Sequence, residues 1–280
     1  MNISNVSTIA EIWRKTVTAV KKYPVVLLPF AIILLFDFTV LAVVFLAPRH
    51  PLSLLIAPVI RAFWGDKYLH YPANFLLIPS LFNYARNFFS FFIGIFFAGA
   101  AISFLHQIDH KYVVSWRHAF RRVFKSYSRL VIAWAVTLGI FFIVIRTFGN
   151  FTGNIESKKV VFAIEFSLYL IIQIMVVFVV PSIIIENKKV YHAFIRSIAL
   201  VKNNLITIVV FVVTPALLLV PSSYLLVKMP VYMNRFFPEI ALYIMIFRII
   251  VLNIVDLVIT ISAAVLLLSY REKQNSGMLK

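Results

Sequence analysis

The chain has no cysteine, which removes disulfides and thiolate metal sites together. Glycine is scarce, seven in 280 residues, and none is spaced as a phosphate-cradling loop requires. Acidic residues are also few: ten Asp and Glu against 27 Lys and Arg, a formal net charge of +17. Only 13% of residues are charged, whereas 62% are hydrophobic and the mean hydropathy is +0.96. A soluble domain of this length lacks the polar surface to cover so much apolar matter. Scattered serines and histidines do not make a catalytic triad without spatial grouping. The expectation is a protein that is not an enzyme and carries no cofactor.

What the chain does have is long apolar runs, at about 25–47, 88–108, 130–148, 160–185, 205–227 and 240–269. About 20 mainly apolar residues in a helix cross roughly 30 Å of hydrocarbon. The runs are continuous rather than alternating, which favours helices over a barrel. The expected fold is all-α, a polytopic bundle of six transmembrane helices in a single membrane domain, 1–280. The first run begins near Pro24 behind a basic segment. It is longer than a signal-peptide core and no small-residue cleavage pattern follows, so it is expected to stay in the mature chain.

The positive charge is unevenly shared between the connections. Seventeen Lys and Arg lie before the first run, in the second and fourth connections and in the tail; eight lie on the opposite side. The positive-inside bias then predicts a multi-pass protein of the cell (inner) membrane with both termini in the cytoplasm. Basic charge at a bilayer is answered by anionic headgroups, so membrane lipids are the expected partners and nucleic acid is not. A membrane protein partner is a further expectation.

Three segments before the odd-numbered runs align without gaps, at Trp13–Val17, Phe120–Phe124 and Phe194–Ile198. Each places bulky apolar residues at i, i+4 and i+7 with basic residues largely on the other face, the pattern of a helix lying among headgroups. The reading is three repeat units, about 5–108, 113–185 and 188–270. In each, a basic amphipathic helix precedes two spans, all entering from the same side. Arg14, Lys15, Arg121, Arg122, Lys125, Arg196 and Lys202 are the expected headgroup contacts. The first unit carries a long outer loop, 48–87, whose apolar pieces Leu52–Ile60 and Phe75–Phe82 are too short to span. They read as interfacial helices, a re-entrant dip or a cap over the bundle, with an interfacial cap preferred because a re-entrant backbone must find hydrogen-bond partners at depth.

Five ionisable residues fall inside runs: Asp37, Arg146, Glu165, Arg248 and Asp256. Each is costly in hydrocarbon and is expected to face the bundle or a wet cavity. Asp37 and Asp256 lie about 12 to 13 residues from the inner ends of their runs, roughly 18–20 Å deep at 1.5 Å per residue. Asn253 and Asp256 continue a polar stripe along the sixth run, with Arg248 two turns earlier. The candidate cluster is therefore Asp37, Arg248, Asn253 and Asp256, either holding helices together or lining a path for a small solute through a transporter or channel. His106 and His110 stand one helical turn apart, but Gln107 replaces the glutamate of the metalloprotease motif, so no metal is expected.

From Pro181 the chain reads proline, four apolar or hydroxyl residues, Glu186, a short turn, then Ala193, Arg196, Ser197 and Lys202. This resembles a pattern in a group of six-span prokaryotic membrane proteins. The group includes the membrane domain of some glycerophosphoryl diester phosphodiesterases and uncharacterised stand-alone relatives. The resemblance implies the six-span layout and basic helices before the odd spans. It implies no phosphodiesterase activity here, because the chain reaches Lys280 without the soluble barrel that carries it. Within the motif, Pro181 is expected to loosen the end of the fourth span. Glu186 is expected to start the following helix, within reach of Arg196.

Overall fold

The computed structural model describes residues 3–110, 112–152 and 158–275, and every regular element among them is helical. Lys111 and Lys280, counted in the charge tally, lie outside the described residues. Six helical stretches are long and apolar enough to cross a membrane: Pro24–Leu46, Asn74–Asp109, Trp116–Phe148, Ala163–Ile185, Leu205–Arg235 and Ile240–Glu272. The number of spans follows the apolar runs, and two of the boundaries do not.

The second span is the first correction. Helix α4 (Asn74–Phe89) passes through a π-helical turn at Ser90–Gly94 into α5 (Ile95–Asp109). Phe75–Phe82 is thus the start of a membrane-length helix and not a separate interfacial piece. Phe75, Ile78 and Phe82 recur on one face and are buried, so tertiary packing overrides the interruption expected from Pro79. The second correction concerns α6 (Trp116–Thr152), which runs 37 residues without a break. The basic segment and the third span are one helix, because no proline falls between Trp116 and Thr152. Before the other odd spans the amphipathic helix is separate. Helix α1 (Ile3–Lys22) stops at Tyr23–Pro24, and α9 (Val190–Asn203) stops at Asn204, whose side chain bonds back to Leu200 O. Asparagine favours such local turns over helix continuation.

Spans four and five are each broken by proline at a position set by geometry. A proline ring clashes with the carbonyl four residues earlier, which is Val177 for Pro181 and Leu217 for Pro221. The breaks fall at those places, between α7 (Lys158–Val176) and α8 (Val179–Ile185), and between α10 (Leu205–Ala216) and α11 (Leu219–Arg235).

The chain forms two compact units: Met1–Phe30 with Gly94–Ala216 and Leu257–Lys280, and Ala31–Ile93 with Leu217–Asp256. In the second, Val40, Leu41 and Val44 of α2 (Leu28–Leu46) pack with Phe75, Ile78 and Phe82, with Met229 and Met233 of α11, and with Met245 and Ile249 of α12 (Ile240–Asn275). A smaller cluster joins Ala47, Leu77 and Ile60 of α3 (Ser53–Phe63), ringed by Trp64, Tyr68 and Leu69. Leu54, Leu55, Val59 and Phe63 line the other face of α3 and are exposed. Helix α3 therefore buries one apolar face and shows another. Gly65, at φ 97°, makes the turn that follows it.

In the first unit, α5 and α6 pack closely at Gly99. A Cβ added there would come within 3.3 Å of both Val123 and Leu130 side chains. Further along α6, Ile132, Val136, Phe142 and Ile143 are exposed. So much apolar surface on a water-soluble protein would drive association; against hydrocarbon it is the ordinary outer face of a span.

Candidate functional sites: an ion cluster and three basic helices

Two spans of the second compact unit carry a carboxylate into apolar surroundings. Asp37 on α2 is 1% exposed. Its Oδ2 accepts hydrogen bonds from Arg86 Nε at 3.1 Å and from Asn253 Nδ2 at 3.0 Å. Arg86 reaches on through Nη2 to Asp256 Oδ2 at 3.4 Å. The planar guanidinium thus bridges carboxylates from two helices, a geometry that an ammonium cannot match. Asp256 is the open end of the cluster, with 53% of its side-chain surface accessible.

The structure brings Asp37, Asn253 and Asp256 together, as the polar stripe suggested, but the cation between them is Arg86. Arg248 forms no ion pair among the described residues, and its Nε is buried without a hydrogen-bond partner. The sequence does not single out Arg86, because it precedes the apolar run that starts at about residue 88 and falls within the outer loop, 48–87. A signal was there: Arg86 follows Phe75, Ile78 and Phe82 at helical spacing, on the buried face. Arg146 and Glu165 are both exposed and take no part.

The basic helices belong to the first unit, and their burial follows one register. Over residues 9–18, 116–125 and 190–199 the succession of buried, half-buried and exposed positions is the same. Ile12, Ala119 and Ala193 are buried, as are Thr16, Val123 and Ser197. Each buried face meets a different even-numbered span. Thr16 Oγ1 lies 3.4 Å from Ser262 Oγ of α12, Val123 packs at Gly99 of α5, and Ser197 meets the broken end of span four. The equivalent apolar residues Val17, Phe124 and Ile198 point outward and are exposed.

That register divides the expected headgroup contacts into two sets. Arg14, Arg121, Lys125 and Lys202 are exposed. Lys15, Arg122 and Arg196, equivalent to one another, are half-buried and engaged within the protein. Lys15 pairs with Glu11 at 2.9 Å and reaches Ser269. Arg122 donates to His106 Nδ1 at 2.9 Å and to Ile185 O. Arg196 pairs with Glu186 at 3.2 Å and lies over the Tyr270 ring.

The proline–glutamate–arginine–serine motif forms one interaction set. Where Pro181 breaks span four, Phe178 N–H donates to Ser197 Oγ at 3.2 Å, and that hydroxyl donates to Met175 O at 2.7 Å. The serine re-satisfies backbone groups freed by the proline, as apolar surroundings require. Its neighbour Arg196 holds Glu186 at the end of α8, and Lys188 pairs with the same carboxylate. The sequence motif contains Ser197, but nothing in its pattern says that this hydroxyl mends the break at Pro181.

His106 and His110 stack at 4.3 Å. Nδ1 of His106 is occupied by Arg122 and Nδ1 of His110 donates to His106 O, so neither ring turns that nitrogen toward a common metal. No group of three or more His, Cys, Asp or Glu suited to a metal ion occurs among the described residues.

The fold and these sites define a class: a multi-pass α-helical membrane protein. Comparison with protein-family models, curated proteins and solved structures finds no match.

Proposed function

We propose that this is a non-enzymatic membrane module that binds and organises anionic lipid through three basic interfacial helices, with both termini in the cytoplasm. One observation carries the reading: exposed Val17, Phe124 and Ile198 occupy equivalent positions beside the exposed cations Arg14, Arg121, Lys125 and Lys202. A helix with an inner face docked on spans, an outer apolar strip and flanking cations is suited to the headgroup boundary. The shared register supports the three repeat units, each helix resting on the second span of a neighbouring unit so that the ring closes. The cluster of Asp37, Arg86, Asn253 and Asp256 then acts as an internal clamp between helices.

The test is lipid selectivity in mixed bilayers, read by spin-labelled phosphatidylglycerol against phosphatidylcholine. Each surface cation contributes about 1 kcal/mol toward anionic lipid. Neutralising Arg14, Arg121, Lys125 and Lys202 together should abolish most of the preference, and unchanged selectivity would refute the reading.

A second reading has its own observation. Asp256 stays half accessible inside an apolar span while salt-bridged to Arg86, as a carboxylate on a small-solute path of a transporter or channel would. Solute flux into liposomes that D256N abolishes while folding is kept would favour it over the lipid module.

A further inference from the structure

A concavity of about 440 Å³ lies along α9, lined by Lys188, Lys189, His192, Ile195, Arg196 and Ala199. We propose that it binds one anionic glycerophospholipid, with the phosphate held by Lys189 and His192. The inference deepens the lipid reading and rests on it, but it assigns a stoichiometric site where that reading needs only a diffuse surface.

Three features converge on a phosphate-bearing amphiphile. The first is charge. Glu186 answers Lys188 and Arg196, at 3.2 Å each. No described carboxylate lies within ion-pair distance of Lys189 or His192, so positive charge is left over at this end. The amides of the first turn of α9 stand at the same end, and Lys189 at its N-cap makes no side-chain capping bond. Free amides and cations together favour an anion. The second feature is polarity: the cationic end gives way along the helix to Ile195 and Ala199, matching a headgroup joined to a glyceryl and acyl body. The volume is also in the range of small-ligand sites.

The third feature is rigidity. The turn carrying Lys188 and Lys189 is fastened from behind by Arg129. Its Nη1 donates to Asn187 O and Lys188 O at 3.1 and 3.2 Å, and its Nη2 to Asn187 Oδ1 at 2.7 Å. Lys188 N–H donates to Ser182 O, and Asn187 takes a left-handed φ of 55° to complete the turn. A surface cation on a mobile side chain and loop spends binding energy on ordering; a fixed backbone saves part of it.

Native mass spectrometry of the intact protein in neutral detergent tests the site, titrating phosphatidylglycerol, phosphatidylcholine of the same chains, and glycerol phosphate. One phosphatidylglycerol should bind in preference to phosphatidylcholine, with glycerol phosphate far weaker. K189Q/H192Q should weaken it about fivefold or more, in line with one lost surface cation and one lost hydrogen-bond donor, while K228Q/R235Q, at exposed cations of the second compact unit, changes it less than twofold. Equal loss in both double variants, or equal binding of phosphatidylcholine, overturns the proposal. Glycerol phosphate binding as tightly as the lipid overturns it in favour of a soluble ligand. Annular selectivity that survives in K189Q/H192Q while no single-lipid site is found would refute this inference alone and leave the diffuse reading standing.

Discussion

Asp37 is held in apolar surroundings by one guanidinium and one amide, so its removal strands Arg86. Breaking a buried pair typically costs about 3–5 kcal/mol, more than the pair itself contributes. D37L and R86M should each destabilise the protein on that scale, measured by unfolding in mixed micelles. The double variant should lose less than the sum, with a coupling of about 1–3 kcal/mol; additive losses would show that the two do not act as a unit. Asp66 behaves differently because it sits outside the spans. Hydrogen bonds from Arg61 at 2.7 Å and His70 at 3.3 Å hold its carboxyl below the ordinary carboxylate range. A depressed value means the interaction is complete above the ordinary pKa of about 3.9 and is lost as pH falls through the lowered one. Carbon-detected titration should place Asp66 low, and R61Q should bring it back up. At this scale the sequence pointed to Asp37 and Asp256, because a carboxylate in an apolar run stands out, but the same rule also picked Glu165, which is exposed and outside the cluster. It hid Arg86, which lies just outside the run and enters the cluster only through the fold.

The helices show the same division. Ser197 is the repair for the break that Pro181 makes, so S197A should leave Phe178 N–H and Met175 O without that partner. The expected loss is about 1–3 kcal/mol. P181A restores an amide and lets α7 and α8 run on, so P181A/S197A should be more stable than S197A; no recovery would separate the serine from the proline. At the α5–α6 contact, G99A trades about 1 kcal/mol of helix propensity against crowding at 3.3 Å, and G99L should overpack the site by about 1–3 kcal/mol. Thermal unfolding ranks the three chains. The loosening of span four by Pro181 was legible, since ring geometry disturbs the helix four residues earlier; that Pro221 breaks span five while Pro79, Pro215 and Pro230 stay inside helices was not. The continuous α6 and the extension of span two were not, because amphipathic periodicity and apolar length do not by themselves say where a helix stops.

For the whole molecule, the apolar runs and the cation imbalance lead to one topological expectation. Tags on the two ends should be labelled from the same face of the membrane by an impermeant reagent, and opposite labelling would reject the orientation. Under the proposed lipid reading, the basic connections would gather anionic lipid on one leaflet, and added salt should weaken that enrichment as it weakens other surface electrostatics.

The number of spans came from sequence alone, because hydrocarbon thickness dictates the length of an apolar helix whatever surrounds it. The helical class came with it, since backbone groups in lipid must bond within their own segment. Which cation meets Asp37, which arginines turn inward from the basic helices, and which serine mends the broken span were decided by the tertiary structure. Arg86 alone reaches a carboxylate 170 positions away, and no local pattern records which of two equally basic side chains a distant helix will cover.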